Sequence, residues 1–347
     1  MNELSWTDQL EASAREKLPA ATYDFVAAGA GLETTVAANS AHWRERAIVP
    51  GALRGVARAD TSTRVPGANL ASPIVLAPAG RQRALHPDGE IASARAAHAF
   101  GSVFTLATSA TTDLHDLAEV ASSCWLQLYV STDREWTELV VSEAEQVGFG
   151  QILVTVDRAT EAHRPRSARH GGLGQLPEGI HVTSHRGDGS TRSNEPGQWD
   201  STLGWGDIGW LQSITSIPVG VKGVLSADDA SRAVDAGVST VVVSNHGGRQ
   251  IDGSISTARA LPRIVDAVGD SATVLVDGGV RSGGDVFRAL AMGASAVLVG
   301  RPYLWALAVE GQNGVQDVLG RLTDELREVM TLSGCATVAD ISHDFIE

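Results

Sequence analysis

The stretch from Thr240 to Asp252, TVVVSNHGGRQID, reads as a buried strand running straight into a chemical site. Its first four residues form an apolar, largely β-branched run bounded by polar residues and glycine, the pattern of a parallel strand covered on both faces. An imidazole (His246), two glycines and a guanidinium (Arg249) follow at once. Such an end offers a proton-transfer group, an anion-binding group and backbone that a ligand can approach closely. Taken alone, His246 reads more readily as a hydrogen-bonded loop residue; the rest of the chain tips the balance.

Outward from this stretch the same pattern recurs. Apolar runs at Ile74–Pro78, Val103–Thr108, Trp125–Tyr129, Ile152–Asp157, Pro218–Lys222, Thr240–Asn245, Thr273–Gly278 and Ala296–Gly300 each end in small or polar residues. Helical stretches such as Glu90–Ala99, Asp133–Val147, Ala227–Ala236 and Gly284–Met292 lie between them. Eight such units over roughly 250 residues predict an α/β fold, a closed (β/α)8 TIM barrel. The spacing breaks once, after the fourth run. The Gly-, Ser-, Arg- and Pro-rich residues from about 158 to 200 predict a long lid loop over the strand ends, and Arg186-Gly187-Asp188 within it reads as a chance tripeptide. Before the barrel, a helical-period pattern through Leu4, Leu10, Ala14 and Leu18 precedes Pro19, Tyr23-Asp24-Phe25-Val26 and a break at Gly29-Ala30-Gly31. The expected organisation is one domain over residues 1–347: helices and cover in 1–70, barrel in 71–312, helices in 313–347.

With 347 residues, 43% hydrophobic and 20% charged, the chain has ordinary globular composition. A net charge of −14 argues against a nucleic-acid or anionic-membrane binder, which needs a basic face. No apolar span reaches transmembrane length, and the N-terminus has no apolar signal core, so no membrane association is expected. Cys124 and Cys335 lie far apart, away from other metal-ligating residues. They predict no metal site and a cytoplasmic location.

In such a barrel chemistry sits at the C-terminal ends of the strands. The runs here end in Gln127-Leu128-Tyr129, Thr155-Val156-Asp157, Lys222, His246, Asp277-Gly278-Gly279-Val280-Arg281 and Gly300-Arg301. The last two ends, with glycine turns, Arg281, Arg301 and following helix N-termini, predict a phosphate site. A fixed ammonium at Lys222 favours a flavin, whose reduced ring carries negative charge. The alternative for Lys222 is a buried ion pair with Asp157 or Asp277.

SNHGGRQID, followed by VDGGVRSGGDVFRALAMGASAVLVGRP, resembles the FMN-dependent α-hydroxy-acid oxidase and dehydrogenase family. The similarity extends through APAGRQRALHPDGE, WLQLY, TVD, PVGVKGV and LSGCATVADIS. It implies FMN as cofactor, His246 as active-site base, Asp157 as its orienting carboxylate and Tyr129 as hydrogen-bond partner of the substrate hydroxyl. It gives Arg249 and Arg164 to the substrate carboxylate and Lys222 to flavin N1. Pro78, Ala79, Gly80, Thr108, Gln127, Thr155 and Ser244 would lie around the ring, with Asp277, Gly279, Arg281, Gly300 and Arg301 along the ribityl and phosphate. A homotetramer is also implied. Two departures stand out. Phe25 occupies a position where many members have a tyrosine, which with Leu85 and Trp205 predicts an apolar or aromatic substrate side chain. After TVD the chain reads RATEAHRPRSARH, without the family's usual Pro and Gly. The expected reaction is oxidation of an (S)-2-hydroxy acid to the 2-oxo acid, with O2 the favoured acceptor. A dehydrogenase, a decarboxylating monooxygenase, an FMN-dependent isomerase and a non-catalytic flavin binder are the alternatives.

Overall fold

The computed structural model describes residues 5–173, 176, 182 and 199–347. The Arg186-Gly187-Asp188 tripeptide and most of the expected lid lie outside them. Three helices open the chain: α1 (Trp6–Lys17), α2 (Ala20–Ala27) and α3 (Thr34–Arg44). Ser5 caps α1 through its hydroxyl, and Pro19 separates α1 from α2. A short hairpin follows, β1 (Thr63–Val65) with β2 (Ala68–Leu70), which the apolar runs did not announce.

Eight parallel strands then close into a barrel: β3 (Ile74–Leu76), β4 (Phe104–Ala107), β5 (Cys124–Leu128), β6 (Gln151–Thr155), β7 (Val219–Val224), β8 (Thr240–Val243), β9 (Thr273–Asp277) and β10 (Ala296–Val299). β10 pairs with both β9 and β3, which closes the ring. The connecting helices are α4 (Gly89–Phe100), α5 (Leu114–Ala118), α6 (Arg134–Gln146), α7 (Pro165–Ala168), α8 (Trp205–Ser213), α9 (Ala227–Asp235), α10 (Thr257–Val268) and α11 (Gly283–Ala291). α12 (Arg301–Ser333) bends at Gly311, whose φ of 61° is not helical. No helix among the described residues is long and apolar enough to cross a membrane.

The period of two along each strand divides the barrel into an outside and an inside. Ile74, Leu76, Leu126, Leu128, Ile152, Val154, Val241 and Val243 pack outward against the helices. Val75, Trp125, Leu153, Val242, Leu275 and Leu298 fill the interior as a second apolar cluster, closed below by Val65 and Leu70 of the hairpin. The floor is therefore packed, with buried Gln151 and Thr240 hydrogen-bonded to each other at the base of the inward rows, and the inward polar residues that a ligand can reach lie at the upper end. Two steps beyond the interior layer, the same rows carry Gln127, Thr155, Lys222, Ser244, Asp277 and Gly300. The alternation that builds the core thus also lifts a ring of polar groups to the C-terminal mouth.

Candidate active site

A cavity of about 730 Å3 opens at that mouth. Its lining includes Phe25, Pro78–Gly80, Gln127, Tyr129, Thr155, Arg164, Lys222, His246, Arg249, Asp277, Gly279, Arg281, Gly300 and Arg301, so most of the expected site residues converge on one space.

His246 follows β8 in the left-handed region, with φ 57°. Its Nδ1 lies 3.0 Å from Asp157 Oδ1, across from the end of β6. Burial presses the imidazole below its ordinary pKa, against the attraction of Asp157, and the charges of Lys222 and Arg249 press the same way. For Asp157, burial works to raise the pKa, but His246 and Lys222 prevail and the carboxyl ends below its usual value. The resting pair at neutral pH is therefore a carboxylate and a neutral imidazole. With Nδ1–H donated to Asp157, the lone pair is left on Nε2. Gly223 makes this approach possible: its φ is 117°, and a Cβ there would lie 2.6 Å from Asp157 Cβ.

Lys222 is buried and its ammonium donates to Ser244 Oγ at 2.8 Å. It also pairs with Asp277 Oδ2 at 2.9 Å, so the ion-pair alternative is realised while Lys222 still faces the cavity. Burial alone would lower the Lys222 pKa; Asp277 and Asp157 outweigh it, and the pKa ends above its ordinary value. Ser244 completes the chain by donating to Asp277 Oδ2 at 2.9 Å. The other oxygen, Asp277 Oδ1, is buried with no hydrogen-bond partner among the described residues, an acceptor left for whatever enters.

Arg249 reaches the cavity from the 3-10 turn after β8. Its Nη1 donates to the carbonyls of Phe25, Val26 and Ala28 at 2.8, 3.2 and 2.8 Å, which among the described residues leaves Nε and Nη2 for a ligand. Arg164 approaches from the far side of the cavity at the start of α7, paired with Glu161 at 3.4 Å. Tyr129 lies against Trp199, with ring centres 5.2 Å apart.

Two expectations, Thr108 and Trp205, need correction. Thr108 does not face the cavity: its hydroxyl donates to Gln127 O at 2.7 Å and accepts from Tyr129 N–H at 2.9 Å. β4 alternates, and the inward residues beside it are Ala107 and Ser109. The Arg301 guanidinium, expected on a phosphate, donates from all three nitrogens to the carbonyls of Val26, Gly247 and Ala28. Three of its five N–H groups are thus engaged, and the charge stays at the cavity wall beside the N-terminus of α12. Trp205 begins α8 and does not line the cavity. Conversely, Arg81, Arg158, Glu161 and Trp199 line it without having been anticipated. Arg81 and Arg158 each stand one residue past an anticipated position, Gly80 and Asp157, where strand parity gives way to loop.

A sequence model of the FMN-dependent dehydrogenases matches residues 14–347. The chain belongs to this family. Among its relatives, rice (Oryza sativa subsp. indica) glycolate oxidase 1 is 40% identical over 357 residues, covering 100% of this chain and 96% of the relative. The 4-hydroxymandelate oxidase of Amycolatopsis orientalis is 41% identical over 340 residues, covering 95% and 94%. A mandelate oxidase variant solved with a C4a-OH-FMN adduct superposes with a TM-score of 0.89 at 39% identity, covering 96% of each chain.

This FMN-dependent dehydrogenase is an enzyme with FMN as its cofactor, and the cavity fits that group. The orphaned Asp277 Oδ1 can accept from a ribityl hydroxyl. Gly279, pressed so close to α3 that a Cβ would lie 2.1 Å from Asn39 O, leaves room for nothing larger beside a phosphate. Among the described residues no cluster of His, Cys, Asp and Glu could hold a metal ion.

Proposed function

We propose that this chain oxidises an (S)-2-hydroxy acid to the 2-oxo acid and passes the electrons to dioxygen, forming hydrogen peroxide. The observation that carries the reading is His246, kept neutral by burial and hydrogen-bonded to an ionised Asp157, in one cavity with Tyr129, Arg164, Arg249 and Lys222. FMN, when bound, accepts the two electrons that the substrate loses. Lys222, Gln127, Thr155 and the Pro78–Gly80 backbone would hold its ring; Asp277, Gly279, Arg281, Gly300 and the start of α12 would hold its ribityl phosphate.

The protein's share is positioning and proton transfer. Arg249 and Arg164 grip the substrate carboxylate, where paired charge-assisted hydrogen bonds fix orientation as well as affinity. The Tyr129 hydroxyl orients the substrate hydroxyl. His246 Nε2 takes the proton, and Asp157 stabilises the resulting imidazolium. Dioxygen as acceptor draws support from the relatives, which are named as oxidases. An aromatic side chain draws support from the hydroxymandelate and mandelate oxidases and from Phe25 and Leu85 in the cavity wall. A cytoplasmic homotetramer completes the proposal, on the two free buried cysteines and on family resemblance respectively.

Anaerobic mixing of the yellow protein with glycolate, lactate and both enantiomers of mandelate tests this reading. The expected result is bleaching by (S)-mandelate and not by its enantiomer, with colour and stoichiometric peroxide returning on admission of air. A flavin that no 2-hydroxy acid bleaches would refute the oxidation, and one that stays bleached in air would refute dioxygen as acceptor.

A further inference from the structure

Oxidation of a hydroxy acid leaves part of this cavity without a task. Two of its guanidiniums lie beyond the pair assigned to the substrate carboxylate. Arg81 stands at φ 62°, in the left-handed region that residues other than glycine rarely occupy. No described residue accepts a hydrogen bond from its guanidinium, whose carbon lies 5.9 Å from the centre of the Phe25 ring. Arg158 lies over the ring of Tyr129 at 4.7 Å and pairs with Glu161. Glu161 pairs with Arg164 as well, and its side chain is 56% exposed.

Among the described residues the cavity thus collects Arg81, Arg158, Arg164 and Arg249 against one lining carboxylate, Glu161, apart from Asp277, which Lys222 already neutralises. A single substrate carboxylate on Arg164 and Arg249 leaves Arg81 and Arg158 sharing, among the described residues, only the half-exposed Glu161. Burial disfavours the charge on Arg81; Glu161 relieves it, while Arg158 and Arg164 repel it. A cavity wall with this excess is complementary to an anion of more than one charge. Phe25 adds a spacer, because the guanidiniums of Arg81 and Arg249 both reach its ring, the latter at 5.4 Å. An apolar stretch of substrate lying on that ring is within reach of both cations.

We propose that the substrate carries a second carboxylate on its side chain, held by Arg81 and Arg158: a 2-hydroxy diacid with an alkyl or aryl spacer. The inference rests on the oxidase reading and narrows it. It is compatible with an aromatic ring against Phe25, provided that ring bears an acid.

The test compares matched pairs in anaerobic stopped-flow reduction of the holoenzyme: 2-hydroxyglutarate against 2-hydroxypentanoate, and 4-carboxymandelate against mandelate. The diacid of each pair should reduce the flavin with the higher ratio of rate to half-saturating concentration. Arg81→Met and Arg158→Leu should each lower the diacid-to-monoacid preference by about 10- to 100-fold, the size expected for a lost hydrogen bond to a charged group. The change should fall mainly on half-saturation, and Arg81→Lys should retain more of the preference than Arg81→Met. Flavin content and far-UV circular dichroism establish that each variant is folded. Monoacids preferred over diacids, or a preference unmoved by both variants, would overturn the inference while leaving the oxidase reading intact. Reduction by neither series would remove the oxidase reading, and this inference with it.

Discussion

At the level of single residues, the His246–Asp157 pair makes a directional claim about pH. Burial holds the imidazole below its ordinary pKa and the Asp157 carboxylate partly counteracts this. Flavin reduction should therefore hold its plateau down to pH values below the usual histidine titration and fall only as Nε2 protonates. Asp157→Asn removes the charge that raises the His246 pKa, so the acid limb of the reduction rate should move to still lower pH. The plateau itself should drop by roughly 100-fold or more, the scale of a lost acid–base contribution. A limb that moves upward would contradict the assignment. His246→Gln should retain FMN yet show almost no reduction in stopped-flow mixing. Glu161→Gln frees Arg164 from a competing carboxylate, so half-saturation by hydroxy acids should fall, by up to about fivefold given the modest worth of exposed ion pairs.

At the level of strands and helices, the architecture was legible because the barrel obeys a period of two. All eight runs became strands, and His246, Asp157, Tyr129, Lys222 and Gln127 fall on inward rows that simple alternation predicts. Thr108 obeys the same rule by facing away from the cavity, and it was the resemblance, not alternation, that had placed it at the ring. The hairpin at 63–70 was hidden because its strands are three residues each, with one buried side chain at the end of each. Arg81 and Arg158 were harder to foresee, since both sit where the chain has left its strand and alternation no longer says which way a side chain turns. Gly223 shows how tightly β6 and β7 are fitted. Gly223→Ala would need a positive φ and push on Asp157, so it should cost about 1–3 kcal/mol of stability in denaturant unfolding and slow flavin reduction together.

For the molecule as a whole, the buried charges around the cavity make the cofactor part of its stability. Stripping FMN should lower the melting temperature, and restoring it at about 100 times its Kd should return roughly 2.7 kcal/mol by mass action. Cys124, buried and with its thiol pushed up to about 12, should ignore thiol reagents until the chain unfolds. The carbonyls at the C-terminal end of α2 have a consequence for how the enzyme comes into being. They bind Arg249 across 221 to 224 positions and Arg301 across 273 to 275, so the first segment made waits for nearly the last. Contacts this distant in sequence form late in folding. During refolding, helical signal should therefore recover before flavin fluorescence is quenched: a chain can own its barrel for some time before it owns its chemistry.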